Sequence, residues 1–129
     1  MRRAKLTLII LALTTAAVAA DQRSQGKKLT AAEAKDHIGE KATVCGTVVN
    51  THISSSRRKA TFLNLDGAHR NQVFSIVIRA GARSKFVDPA RTYRGKQVCI
   101  TGLIRSDRGV PEIVASSPEQ IQEQPIEPK

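Results

Sequence analysis

The sequence predicts an all-β domain with short helices. Five strands close into a small barrel, with an N-terminal helix and a helical connection between the third and fourth strands. Beyond residue 40, apolar residues recur at every second position, as in Ala42-Val44 and Val98-Ile100, the period of a half-buried strand. Asp66-Gly67 and Arg108-Gly109 punctuate these segments as turns. The composition is ordinary for a globular domain, at 40% hydrophobic and 25% charged residues, which excludes wholesale disorder.

The first twenty residues read as an address. Arg2, Arg3 and Lys5 form a basic head, and Leu6 to Leu13 an apolar run as long as a signal-peptide core. Small residues follow, so that cleavage after Ala20 or after Ala19 meets the usual requirement. The run is too short for a membrane span, and Asp21, Gln22 and Arg23 follow at once. Residues 1–20 are thus expected to be a signal peptide. The mature protein is expected to be exported, periplasmic or secreted, with no membrane span. Cleavage removes three cations from a formal charge of +10 and leaves a basic product.

An exported domain with two cysteines points to one disulfide. Cys45 and Cys99 each lie in an alternating strand beside a core-facing Val (Val44, Val98), and neighbouring strands would bring the sulfurs to one face. Two free buried thiols are the alternative. A zinc site fits least, without a CxxC or a nearby His pair.

Along the mature chain, residues 21–28 form a flexible polar lead-in. Thr30 and Glu33 make a capping box for a helix over Ala31 to Ile38 that Gly39 stops. The five strands are expected at Glu40 to Ile53, with a bend at Gly46, then Lys59 to Leu65, Gln72 to Arg79, Lys96 to Arg105, and Val110 to Ala115. On the third, Phe74, Ile76 and Ile78 share one face. Between the third and fourth, Asp88-Pro89 reads as a helix start and Gly95 as its stop. The folded domain covers 29–117, and 118–129, rich in Pro and Glu, is expected to be a flexible tail. Five short strands with one helical crossover describe the oligonucleotide/oligosaccharide-binding (OB) fold, a Greek-key barrel whose first and fourth strands are neighbours.

Several phrases then carry a family resemblance: Ala42-Thr43-Val44-Cys45-Gly46, Thr61-Phe62-Leu63-Asn64-Leu65, Asn71-Gln72-Val73-Phe74 with Val77-Ile78, Gly95-Lys96-Gln97-Val98 with Thr101-Gly102, and Gly109-Val110-Pro111-Glu112-Ile113. Over residues 29–121 the chain resembles a small bacterial OB-fold family of exported or nuclease-associated proteins, akin to OB domains of tRNA-anticodon and helicase type. Some of these are joined to staphylococcal-nuclease-like domains. The resemblance implies a binding scaffold and no particular reaction. It departs at Arg79, where such relatives commonly carry an aromatic, and no nuclease-like segment is read in the sequence.

Catalysis finds little support. Ser56-Arg57-Arg58-Lys59 matches S-x-x-K, but that pair needs a helix start and here straddles a turn and a strand. His37, His52 and His69 are scattered without metal-ligand spacing. Asp66, Asp88 and Asp107 sit where turns and caps favour Asp. No enzyme, metal or cofactor is expected. Binding rests instead on Arg57, Arg58 and Lys59 in the turn between strands one and two, and on Arg105 and Arg108 between strands four and five. Those loops frame the ligand groove of an OB barrel. Phe62, opposite in phase to Leu63 and Leu65, is placed to stack one base. The plainer alternatives are a solvated cationic surface and a Phe62 buried in a second small core under the helix. With three Phe, one Tyr and no Trp, the chain lacks the surface of a stacking-rich RNA-recognition module or an antibody-like paratope. The expected function is weak, sequence-independent binding of single-stranded nucleic acid or another polyanion, with a neighbouring nuclease as one conceivable partner. The alternative is a protein-interaction or envelope-scaffold module.

Overall fold

The architecture is organised by one long strand that changes partners half-way. A computed structural model describes residues 27–56, 58–67 and 71–125. The expected signal peptide, residues 21–26 of the lead-in, Arg57, His69 and residues 126–129 lie outside the described residues. Within them the protein is mostly β, with a few short helices. The strands are β1 (Lys27–Thr30), β2 (Lys41–Ile53), β3 (Thr61–Leu65), β4 (Phe74–Ile78), β5 (Gln97–Leu103), β6 (Arg105–Asp107), β7 (Val110–Val114) and β8 (Ile121–Glu123). They form one sheet in the order β6-β7-β4-β3-β2-β5-β8, with β1 added in parallel along β2.

The N-terminal half of β2 pairs with β5, from Lys41↔Leu103 to Thr47↔Gln97. Its C-terminal half pairs with β3, from Val48↔Leu65 to Ile53↔Thr61. The register shifts between Val48 and Asn50, so the bend lies there and not at Gly46. Gly46 is required for a different reason: a Cβ on it would stand 2.9 Å from the Asp66 carboxylate. That carboxylate accepts the Thr47 N–H at 2.8 Å, while the Asp66 N–H donates to the Thr47 carbonyl at 2.9 Å. Asp66 is therefore more than a turn residue, since it ties the β3 exit back onto β2.

Inward positions build the core from Val44, Val48, Leu63, Leu65, Phe74, Ile76, Ile78, Val98, Ile100, Ile104 and Ile113, all fully buried. Each such side chain contributes roughly 1.5–3 kcal/mol on burial. A one-residue slip would turn a whole set outward, so the register is held firmly. On β4 all five residues are buried, where period-two reading placed only Phe74, Ile76 and Ile78 inward. Ser75 and Val77 are covered on the other face.

Further differences have local causes. Residues 31–38 form only a 3-10 turn, Ala32–Asp36, although the capping box is present: the Glu33 N–H donates to Thr30 Oγ1 at 3.2 Å and Thr30 Oγ1 donates to Glu33 Oε1 at 2.9 Å. The helix α1 is Pro89–Tyr93 with Pro at its start, but Asp88 makes no side-chain cap and holds φ at 40°. The expected fourth strand is interrupted at Ile104, whose N–H donates to the Glu40 carbonyl and whose carbonyl accepts the Gly39 N–H. Lys27 and Lys28, expected in the flexible lead-in, belong to β1.

The expected flexible tail is also corrected over residues 118–123. Ser117 and Gln120 form a capping box on the 3-10 turn Pro118–Gln120. Gln120 accepts the Ser116 N–H at 2.7 Å and donates to the Thr101 carbonyl at 3.1 Å, which delivers β8 to the free edge of β5.

Cys45 and Cys99 face each other in the β2–β5 register and are joined in a disulfide, with Cα atoms 4.1 Å apart. The bridge closes a separation of 54 residues, for which the chain-entropy model gives about 4 kcal/mol. The double variant Cys45→Ala/Cys99→Ala is expected to lose about that much stability. Urea unfolding checks this, and an unchanged midpoint would show the two strands held together without the bridge.

Candidate functional site

Outward-facing residues of β2, β3, β4 and β7 form two neighbouring rungs across the sheet. One runs His52↔Phe62↔Val77↔Val114. The other runs Asn50↔Asn64↔Ser75↔Glu112 and ends on Arg105 of β6. In the first, the His52 and Phe62 rings lie 6.1 Å apart with their planes inclined by 31°. In the second, buried Asn64 donates to Asn50 Oδ1 at 3.1 Å and accepts from Ser75 Oγ at 2.7 Å and Gln72 Nε2 at 3.3 Å. A buried amide left unmatched would cost about 1–3 kcal/mol, so this matched network holds the middle of the second rung in place.

Against Phe62 and Val77 of the first rung and Glu112 and Arg105 of the second lies a cleft of about 870 Å³. It is walled by the β2–β3 turn (Ser54, Ser56, Arg58), by Arg79 and Gly81 after β4, and by the β6–β7 hairpin (Arg105, Asp107, Arg108). The hairpin turn is tight because both Arg108 (φ 51°) and Gly109 (φ 82°) adopt left-handed conformations, the geometry that matches strand twist in a two-residue turn. That conformation costs a non-glycine residue free energy and occurs often at functional sites.

Of the residues expected to bind, Arg58, Phe62, Arg105 and Arg108 line this one cleft. Lys59 is exposed beside it, with φ 38°, and does not line it. Arg57 lies outside the described residues. Phe62 is half-buried at the cleft, outside the main core cluster, to which Phe86 and Tyr93 belong. Two residues the sequence left unassigned are also here. Arg79 occupies the cleft wall as a cation, and Glu112 its floor. Glu112 was legible only as an outward position on the fifth strand, because period two gives a face and not what shares it.

Glu112 has the most distinctive electrostatics of the cleft. Burial pushes its carboxyl pKa above the ordinary value, and the Asp107 charge adds to this, while Arg105 and Arg79 oppose it. Among the described residues no group of His, Cys, Asp and Glu is arranged to hold a metal ion, and no helix is long and apolar enough to cross a membrane.

Comparison with known proteins adds little. No family model matches the chain, and no curated protein matches it. Among solved structures, it is similar to an OBody, AM1L10, bound to hen egg-white lysozyme, at 19% identity and a TM-score of 0.44, over 70% of this chain and 84% of that one.

The raised Glu112 pKa fixes a sign. The folded state holds the proton more tightly than the unfolded chain does. The Glu112 contribution to stability is therefore fully present below the ordinary glutamate pKa and is lost as pH rises through the raised one. Glu112→Gln removes this dependence, so the variant is expected to gain stability over wild type at neutral pH but not in acid, checked by urea midpoints at both. In a carboxyl-detected NMR titration, Asp107→Asn should lower the Glu112 pKa and Arg105→Ala should raise it.

Proposed function

We propose that the sheet is an OB-type barrel of five principal strands and that its cleft binds single-stranded nucleic acid or a related oligo-anion. Topology supports the first part. The β5–β6 segment pairs with β2 through its first residues and with β7 through its last, and β4 runs parallel to β7. Such pairings are those of a sheet returning on itself, with β1 and β8 as additions.

The observation that carries the second part is the convergence of Arg58, Arg79, Arg105 and Arg108 from three separate segments on a cleft whose floor holds Phe62. Cations from different segments can follow a phosphate chain across the face, and binding would release its condensed counterions. A half-buried phenyl ring offers one stacking surface, enough for weak binding. The proposal includes export, consistent with the basic-apolar leader and with a disulfide that persists in an oxidising compartment. It assigns no catalytic step.

Fluorescence anisotropy with labelled single-stranded oligonucleotides tests it. Affinity should fall steeply between roughly 50 and 200 mM salt, as it does when several phosphates are neutralised. Arg58→Ala and Arg105→Ala should each reduce the slope of log affinity against log salt by about one. Absence of binding at low salt, or binding without a salt slope, overturns the reading in favour of a protein-interaction module.

A further inference from the structure

The cleft is not uniformly cationic. Its arginines are exposed on the walls, whereas Glu112 is half-buried in the floor, on the strand next to Val77 (the register partner of Phe62) and one rung over from it. A sleeve for bare phosphate would gain nothing from a carboxylate at that depth, since it repels the ligand. Among the described residues no hydrogen bond or ion pair to a protein group engages the carboxyl. On its β4 side the register partner is Ser75, whose hydroxyl is already donated to Asn64. The acceptors of Glu112 thus have the cleft itself to face.

An ionised carboxylate only accepts hydrogen bonds, and its two oxygens suit a pair of adjacent donors. Among the bases, guanine presents two neighbouring N–H donors on its Watson–Crick edge. Adenine and cytosine set one amino group beside an acceptor, and thymine sets one N–H between two carbonyls. We propose that Glu112 reads guanine in a single strand: the base lies against Phe62, its two-donor edge meets the carboxylate, and the phosphates lie outward on Arg58, Arg79, Arg105 and Arg108. This rests on the binding function proposed above and gives the cleft a polarity, base inward and backbone outward. It replaces indifference to sequence with a preference for guanine. The charged groups facing Glu112 are Asp107 and Arg105 across the hairpin and Arg79 from the end of β4. The two arginines favour the ionised form that accepts from guanine.

The test uses the purified protein and labelled oligonucleotides of alternating thymine and guanine. A matched strand carries hypoxanthine for guanine, which deletes the 2-amino group and nothing else. Above the raised Glu112 pKa, the guanine strand should bind about tenfold more tightly, within the range of a good bidentate base contact. Glu112→Gln, which offers one acceptor and one donor, should abolish the difference while leaving the salt slope intact. Equal affinity of wild type for the two strands, with a salt slope retained, overturns the guanine assignment and leaves the binding function standing. A preference that survives Glu112→Gln in a variant with a wild-type circular dichroism spectrum assigns it to another group and also overturns this proposal. No binding of either strand at low salt overturns both.

Discussion

The backbone at Thr47 and Val48 is the point on which the structure turns. Here β2 leaves β5 and takes up β3, and a strand that changes partners risks stranding buried amides and carbonyls. Each is met. The Val48 N–H donates to the Lys96 carbonyl at 2.9 Å, and its own carbonyl accepts the Gly95 N–H at 2.8 Å. Thr47 exchanges its N–H and carbonyl with the side chain and backbone of Asp66. The segment after α1 and the turn after β3 therefore close on the same two residues. The disulfide stands two residues before this junction, at Cys45, and holds the β2–β5 half in register while the other half diverges.

From that divergence comes the outer face that forms the cleft. Because β2 swings onto β3, its residues Asn50 and His52 join the rungs of β3, β4 and β7. Covering both faces of β4 explains its unbroken run of buried residues: the inner face meets the core, and Ser75 and Val77 belong to the rungs. Asn64 is the keystone of the polar rung, with its donor used toward Asn50 and its acceptor shared by Ser75 and Gln72. A fully satisfied network of this kind rigidifies its surroundings, and Glu112 is the register partner of one of its members, Ser75.

Period-two patterning, turn chemistry and cysteine placement made much of the fold legible before any coordinates. The positions of β2, β3, β4, β5 and β7 and the helix after Asp88-Pro89 follow from local chemistry that needs no knowledge of distant neighbours, whereas the facing of the cysteines needed two of those strands to be placed side by side. What escaped depends on such neighbours. β1 and β8 are short and polar, and each forms because an edge of β2 or β5 waits for it. The ordering of residues 118–123 comes from one side chain, Gln120, bridging to Thr101 across the fold, which no composition count can show. In the same way, Arg58, Phe62, Arg105 and Arg108 could be assigned to two loops and a strand face. Their sharing a cleft with Arg79 and Glu112 is a product of the β4–β7 and β6–β7 registers.

The distribution of charge within the cleft decides how a ligand would be held. Exposed arginines lie on its walls, where water and salt screen them and each contact is worth little by itself. On the proposed function, their collective effect would be to attract a negatively charged chain over a distance and keep it near the surface. In the proposed role Glu112 would act at shorter range from a half-buried position, where a single well-matched donor pair counts for more. In the proposed site, wall and floor would divide the labour: long-range attraction would bring a strand to the cleft without regard to its bases, and the floor would discriminate among those bases once in contact. The same burial that raises the Glu112 pKa makes an unmatched carboxylate there unfavourable. A ligand that brings two donors removes that penalty, and one that brings an acceptor leaves it in place.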